Sequence, residues 1–146
     1  MYSIIKELES DNSRLAKEAI IKREAEANNV EFFEGCHLAL SPYITFGVKK
    51  VPSFSGPDGQ GLPWAAFKEL ADNLASRSLT GHDARDAIEL CLSASTQAEW
   101  NDWYRRILIK DLRCGMSEST INKVVGKKYA HYKRTVYFVG YYLHEK

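Results

Sequence analysis

Residues 96–126, TQAEWNDWYRRILIKDLRCGMSESTINKVVG, constrain the fold more than any other stretch. Thr96 is followed three residues later by Glu99, the spacing at which a hydroxyl and a carboxylate satisfy each other's orphan amides at a helix start. Trp100, Trp103, Tyr104, Ile107 and Leu108 then recur at i, i+3, i+4, i+7 and i+8, which is one apolar face of an α-helix. Lys110 and Arg113 fall at its C-terminal end, where the macrodipole favours cations, and Gly115 suits the left-handed residue that closes it. Ser117 is the expected N-cap of a second helix carrying Ile121, Val124 and Val125. A helix start offers free amides and a positive dipole end, and Lys110, Arg113 and Lys123 lie close by in sequence, which is the makings of a phosphate site. Two amphipathic helices with solvated charges satisfy the same spacing equally well.

Upstream, residues 3–9 open with a short helical turn. A longer helix is predicted from Asn12 or Ser13, with Leu15, Ala19 and Ile20 inward and Lys17, Glu18, Lys22, Arg23 and Glu26 outward; Asn28 and Asn29 break it. A third helix, from Val30 to Leu40, carries Phe32, Phe33, Cys36 and Leu40 on its core face and ends before Pro42. From Tyr43 to Pro63 periodicity disappears, and three of the four prolines gather there with Gly47, Gly56, Gly59 and Gly61. Lys49 and Lys50 sit side by side in this piece, as phosphate contacts or as plain solubilising charge. The SGPDGQG run reads as a mobile contact surface or a simple connection. Pro63 suits the first turn of a helix that buries Trp64, Phe67, Leu70, Ala71 and Leu74. Thr80 is then the expected cap of another, with Asp83 at the capping-box position and Ala84, Ala87, Ile88 and Cys91 inward. Gly81 leaves that start unobstructed, so LTGHDA and CGMSES are two helix N-termini of similar design.

A chain of 146 residues with 45% apolar and 27% charged residues reads as one globular domain. No apolar run approaches the ~20 residues of a membrane span, and MYSIIKELES lacks a secretory h-region, so a cytoplasm is the default location. Cys36, Cys91 and Cys114 have neither CxxC nor Cys/His ligand spacing; Cys36 and Cys91 read as small core residues and Cys114 as packing beside the Gly turn. The net charge of +1 conceals an asymmetry. Residues 1–95 hold 10 Lys/Arg against 14 Asp/Glu, net −4, while residues 96–146 hold 10 against 5, net +5. A basic C-terminal third fits a localised footprint on an anion, most often nucleic acid.

Three segments carry a family resemblance. KDLRCGMSESTINKV, SRSLTGHDARDAI and YITFGVKKVP resemble segments of the N-terminal helical DNA-binding domain of ATP-dependent DNA ligases, especially those of tailed bacteriophages. They occur in the family's order and at similar separations, and the resemblance covers residues 1–126. It implies an all-α, compact multi-helix domain of about six helices with one irregular Gly/Pro-rich loop. It further implies a monomer that grips double-stranded, nicked DNA across its minor groove by shape and phosphates rather than sequence, in replication, repair or recombination, in a host cytoplasm if the source is viral. The phosphate contacts expected on this reading are Lys49, Lys50, Gly81, Lys110, Arg113, Gly115, Ser117, Thr120 and Lys123.

The resemblance stops at Gly126. Residues 127–146, KKYAHYKRTVYFVGYYLHEK, form a basic–aromatic tail of uncertain structure. The pattern suits base stacking, a core-completing strand or a non-native end alike. The family's Lys-x-Asp-Gly motif, whose lysine attacks ATP, occurs nowhere in the chain. The expectation is a truncated module with no catalytic residue, metal or cofactor of its own and no ligation by itself. ATP and Mg2+ belong to a full-length ligase. The rival readings are a protein-interaction module docking on a separate ligase catalytic chain, and a small enzyme using His82, Asp83, Asp86 or Asp111, positions that capping or surface exposure explains better.

Overall fold

The computed structural model describes residues 1–128, and among them every regular element is helical. Seven helices follow in chain order: α1 Tyr2–Ser10, α2 Arg14–Glu26, α3 Val30–Leu40, α4 Trp64–Ala75, α5 Gly81–Ala94, α6 (97–108) and α7 Glu118–Lys128. Local chemistry sets most boundaries. Ser13 caps α2 by accepting from the Ala16 amide, and Asn28 leaves that helix in the left-handed region at φ 56°. Asn29 then caps α3 through the Phe32 amide, so the Asn pair both stops one helix and starts the next. At α6 the Thr96–Glu99 capping box is complete in both directions.

The core is an aromatic slab between α3, α4 and α6. Phe67 stacks on Tyr104 with ring centroids 4.3 Å apart, and Trp103 stacks parallel to Phe32 at 6.4 Å. The middle of α6, Trp100–Tyr104, winds as a wide π turn, and Trp100, Trp103 and Tyr104 are all buried there. Gly35 of α3 is what lets the Trp103 ring approach: a Cβ there would stand 2.3 Å from a ring carbon. α1 packs against the π turn, α5 against α4, and α7 lies across α2 and α3.

Three expectations about these elements are corrected. On α2 the inward face is Lys17, Ile20, Ile21, Glu24 and Ala25, whereas Leu15 is 73% exposed and Ala19 is exposed with it. The α6 helix stops at Leu108 instead of running on toward Gly115, and Lys110 follows it in the left-handed region at φ 58°. Thr80 occupies the N-cap position of α5, yet its side chain makes no cap hydrogen bond. Among the described residues, no helix is long and apolar enough to cross a membrane. The basic–aromatic segment 127–146, apart from the last backbone turn of α7, lies outside the described residues.

Candidate nucleic-acid interface

The aperiodic stretch 43–63 is held by side chains of α6 rather than by its own secondary structure. Asn101 accepts from the Phe54 amide at 2.8 Å and donates to the Phe54 carbonyl at 2.9 Å. Trp100 Nε1 donates to Pro52 O, Arg105 Nε to Val51 O, and the Leu62 amide donates to Glu99. Phe46, Val51, Phe54 and Leu62 point into the core. Lys49 and Lys50 lie between two of these anchors, so they project from a fixed backbone into solvent.

Arg77 closes the other side. It sits at φ 66° just past α4 and donates to Thr45 O, Thr45 Oγ1 and Leu74 O. Its guanidinium carbon is 3.0 Å from where a Cβ of Gly47 would stand, so a side chain there would push the guanidinium aside, and φ +70° at Gly47 is a backbone that favours glycine. The result is a groove of about 630 Å³ whose lining brings Lys49, Lys50, Gly81 and Arg85 together, with one carboxylate, Glu89. Gly81 opens α5 at φ +56° with nothing within 4 Å of a would-be Cβ. Thr80 makes no side-chain cap hydrogen bond, and the first residue of this 14-residue helix, Gly81, borders a groove lined by three cations and one carboxylate.

A second cluster follows α6. The Asp111 carboxylate accepts from the Arg113 amide at 3.0 Å. Arg113 at φ 56° and Gly115 at φ 68° are left-handed residues on either side of buried Cys114. Ser117 Oγ accepts from the Thr120 amide at 3.3 Å, so it is the N-cap of α7. The same oxygen lies 3.0 Å from both the Ser119 and Thr120 hydroxyls. The Arg113 side chain is 53% exposed beside Asp111, and Lys123 on the α7 surface pairs with Glu18 at 3.3 Å.

Lys110 does not join either cluster outwardly. Its ammonium donates to Leu38 O at 2.8 Å and Ser41 O at 3.0 Å and lies over the Phe46 ring, ending α3 and tying the turn after α6 to the 41–46 segment. Burial pushes its pKa down to about 8. Of the nine residues expected from sequence, Lys49, Lys50 and Gly81 meet in one groove. Arg113, Gly115, Ser117, Thr120 and Lys123 run along the turn and the first turns of α7. Lys110 is an internal tie, which its place after an amphipathic helix could not show.

Arg85 is the groove residue that sequence reasoning missed. Its signal was available: it stands four residues after Gly81, one turn into α5, exposed on the flank beside buried Ile88, which lines the same groove. The cysteines remain packing groups, because burial pushes the Cys36 and Cys114 thiols up, away from the thiolate that chemistry would need.

Two solved structures, named Pmar-Lig_Pre. and Pmar-Lig_PreS3, each match the chain with a TM-score of 0.86 and 50% sequence identity, over 90% of this chain. The chain spans 30% of the length of each. The likeness, in fold and in half of the aligned residues, is to a ligase-related domain. No protein-family model and no curated protein matches the chain.

Proposed function

We propose that this chain binds double-stranded DNA, without sequence preference, as the DNA-gripping module of a ligase that acts on nicks in replication, repair or recombination. The observation that carries the reading is the groove lined by Lys49, Lys50 and Arg85 together with Gly81, the first residue of α5, whose N-cap Thr80 makes no side-chain cap hydrogen bond. Phosphates are the ligand such a set suits: three point charges supply salt-dependent attraction, and a glycine-opened helix start supplies backbone amides at close range. The turn from Arg113 to Thr120 repeats the design, a helix start next to a cation, and Lys123 adds a second cation on the same helix. Contacts of this kind fix register and orientation on a duplex but carry no base information. On this reading the joining chemistry, with its ATP and Mg2+, belongs to other domains of such a ligase.

The test is a titration of nicked, intact and single-stranded DNA over a salt series. Each phosphate contact contributes about 0.9 to the slope of log K against log salt. The triple variant Lys49→Ala, Lys50→Ala, Arg85→Ala should bind every duplex more weakly and lose about 2 to 3 from the magnitude of that slope. An unchanged slope in a folded triple variant would remove the groove from the interface.

A further inference from the structure

We propose that Lys17 and Arg106, both buried, are positioning residues that aim the Arg113–Ser117 turn at a phosphate without touching it. The inference rests on the duplex-binding reading above. Lys17 is 6% exposed and its Nζ donates to Cys114 O at 2.7 Å and to Leu8 O, in the last turn of α1, at 2.6 Å. Arg106, also 6% exposed, donates through one nitrogen to Leu112 O at 3.0 Å and to Glu9 of α1 at 2.7 Å, and through the other to Asp102 at 3.4 Å. Two carbonyls of one short turn are therefore drawn inward by two buried cations, each of which is braced against α1.

Peptide geometry gives this a consequence. A trans peptide holds its C=O and N–H on opposite sides. With Leu112 O turned inward, the Arg113 amide points outward, and it is met there by the Asp111 carboxylate at 3.0 Å. With Cys114 O turned inward onto Lys17, the Gly115 amide is presented outward in the same way, from an exposed glycine one residue before the run into the α7 start. The turn needs that restraint. Arg113 is a non-glycine residue at φ 56°, a conformation that persists only where its surroundings over-determine it. A Cβ on Gly115 would be in ordinary contact with Lys17, 3.4 Å from its Cε, so the lysine is the floor on which the turn rests. α1, a hundred residues earlier in the chain, is thus the back plate of the candidate interface.

A buried positioning group and a phosphate contact separate by salt dependence. In the whole chain, Lys17→Met should weaken nicked-duplex binding about tenfold, the scale of one misdirected charge-assisted hydrogen bond, while the salt slope stays at its wild-type value. Arg113→Ala, which removes an exposed cation, should instead reduce the slope by about one. Lys17→Arg keeps a charged donor and should recover most of the affinity, and the Gly115 amide resonance should shift in Lys17→Met but stay near its wild-type position in Lys17→Arg. If Lys17→Met fails to fold, Glu9→Gln, at a side chain about one-third exposed, loosens Arg106 and should lower affinity about threefold at unchanged slope.

Wild-type affinity in folded Lys17→Met, or in Glu9→Gln where that variant replaces it, would overturn the positioning role alone. So would a lost unit of slope in either, which would make the group a direct contact. A wild-type chain that binds no duplex at low salt would overturn the functional reading and this inference together.

Discussion

His37 shows how one half-buried ring ties stability to pH. It lies on α3 with Nδ1 buried and without a hydrogen-bond partner, and burial, helped by Lys110 and Lys68 nearby, pushes its pKa down from 6.5 to about 4. Above pH 6.5 the ring is neutral in both the folded and the unfolded chain and adds no pH dependence. Between 6.5 and about 4 the unfolded chain takes the proton first, so stability falls with pH, and below about 4 the loss levels off. Glu7 and Glu9 are held below the ordinary carboxylate value by Arg23 and Arg106, whereas burial pushes Glu31 up, so its protonation opposes the His37 effect as pH falls and the His37→Gln comparison isolates the ring. The urea midpoint should therefore drop between pH 7 and pH 5 and the His37→Gln variant should show a flatter profile. Parallel profiles in the two proteins would mean that the ring protonates freely in the fold. The helix expected from Val30 to Leu40 contains this histidine. The sequence could not place Lys17, because apolar periodicity assigns a lysine to the wet side, and only the carbonyls of Leu8 and Cys114, remote in sequence, make its burial affordable.

At the scale of elements, the decisive contact is α3 against α6. Replacing Gly35 by alanine sets two terms against each other. Helix propensity favours alanine by about 1 kcal/mol. The added methyl would stand 2.3 Å from Trp103 Cζ2 and 3.2 Å from Ile107 Cδ1, two side chains at most 1% exposed, and neither can move aside. Overpacking of this kind costs about 1–3 kcal/mol and here should exceed the propensity gain, so Gly35→Ala should lower the denaturation midpoint. A midpoint equal to or above wild type would show that the α3–α6 seam has slack. Helix existence was well read from sequence wherever a stripe had a capping residue beside it, as at Asn29 and Thr96. It failed where an end was made by non-glycine left-handed residues, since Lys110 and Arg113 look like ordinary dipole-complementing cations after α6. At Thr80 the helix start was read correctly, and only the side-chain cap hydrogen bond expected of it is missing.

The whole molecule is one cooperative body only if the stretch 43–63 folds with the helices. In sequence that stretch has no periodicity, and its SGPDGQG run reads as a mobile surface or a bare connection. In the structure it is stapled to α6 and to the chain just before it: Gly59 N donates to Ser95 O at 2.8 Å and Gly61 N to Ala94 O at 2.9 Å. The Phe54 and Leu62 amides are taken by Asn101 and Glu99. Such long-range pairing is invisible to local pattern, which is why the cations at 49 and 50 were legible but the backbone anchoring on either side of them was not. Backbone amides held this way exchange with solvent only when the structure that holds them opens. The Phe54, Gly59, Gly61 and Leu62 amides should therefore show native-state exchange free energies close to those of Phe67 and Ile107 in α4 and α6. Asn101→Ala should release the Phe54 amide while leaving Gly59 and Gly61 protected, because their acceptors are backbone carbonyls at 94 and 95. Fast exchange of all four in the wild-type protein would instead make the loop a separate, weakly held unit, and Lys49 and Lys50 would then meet a duplex from a surface that has to be ordered on binding.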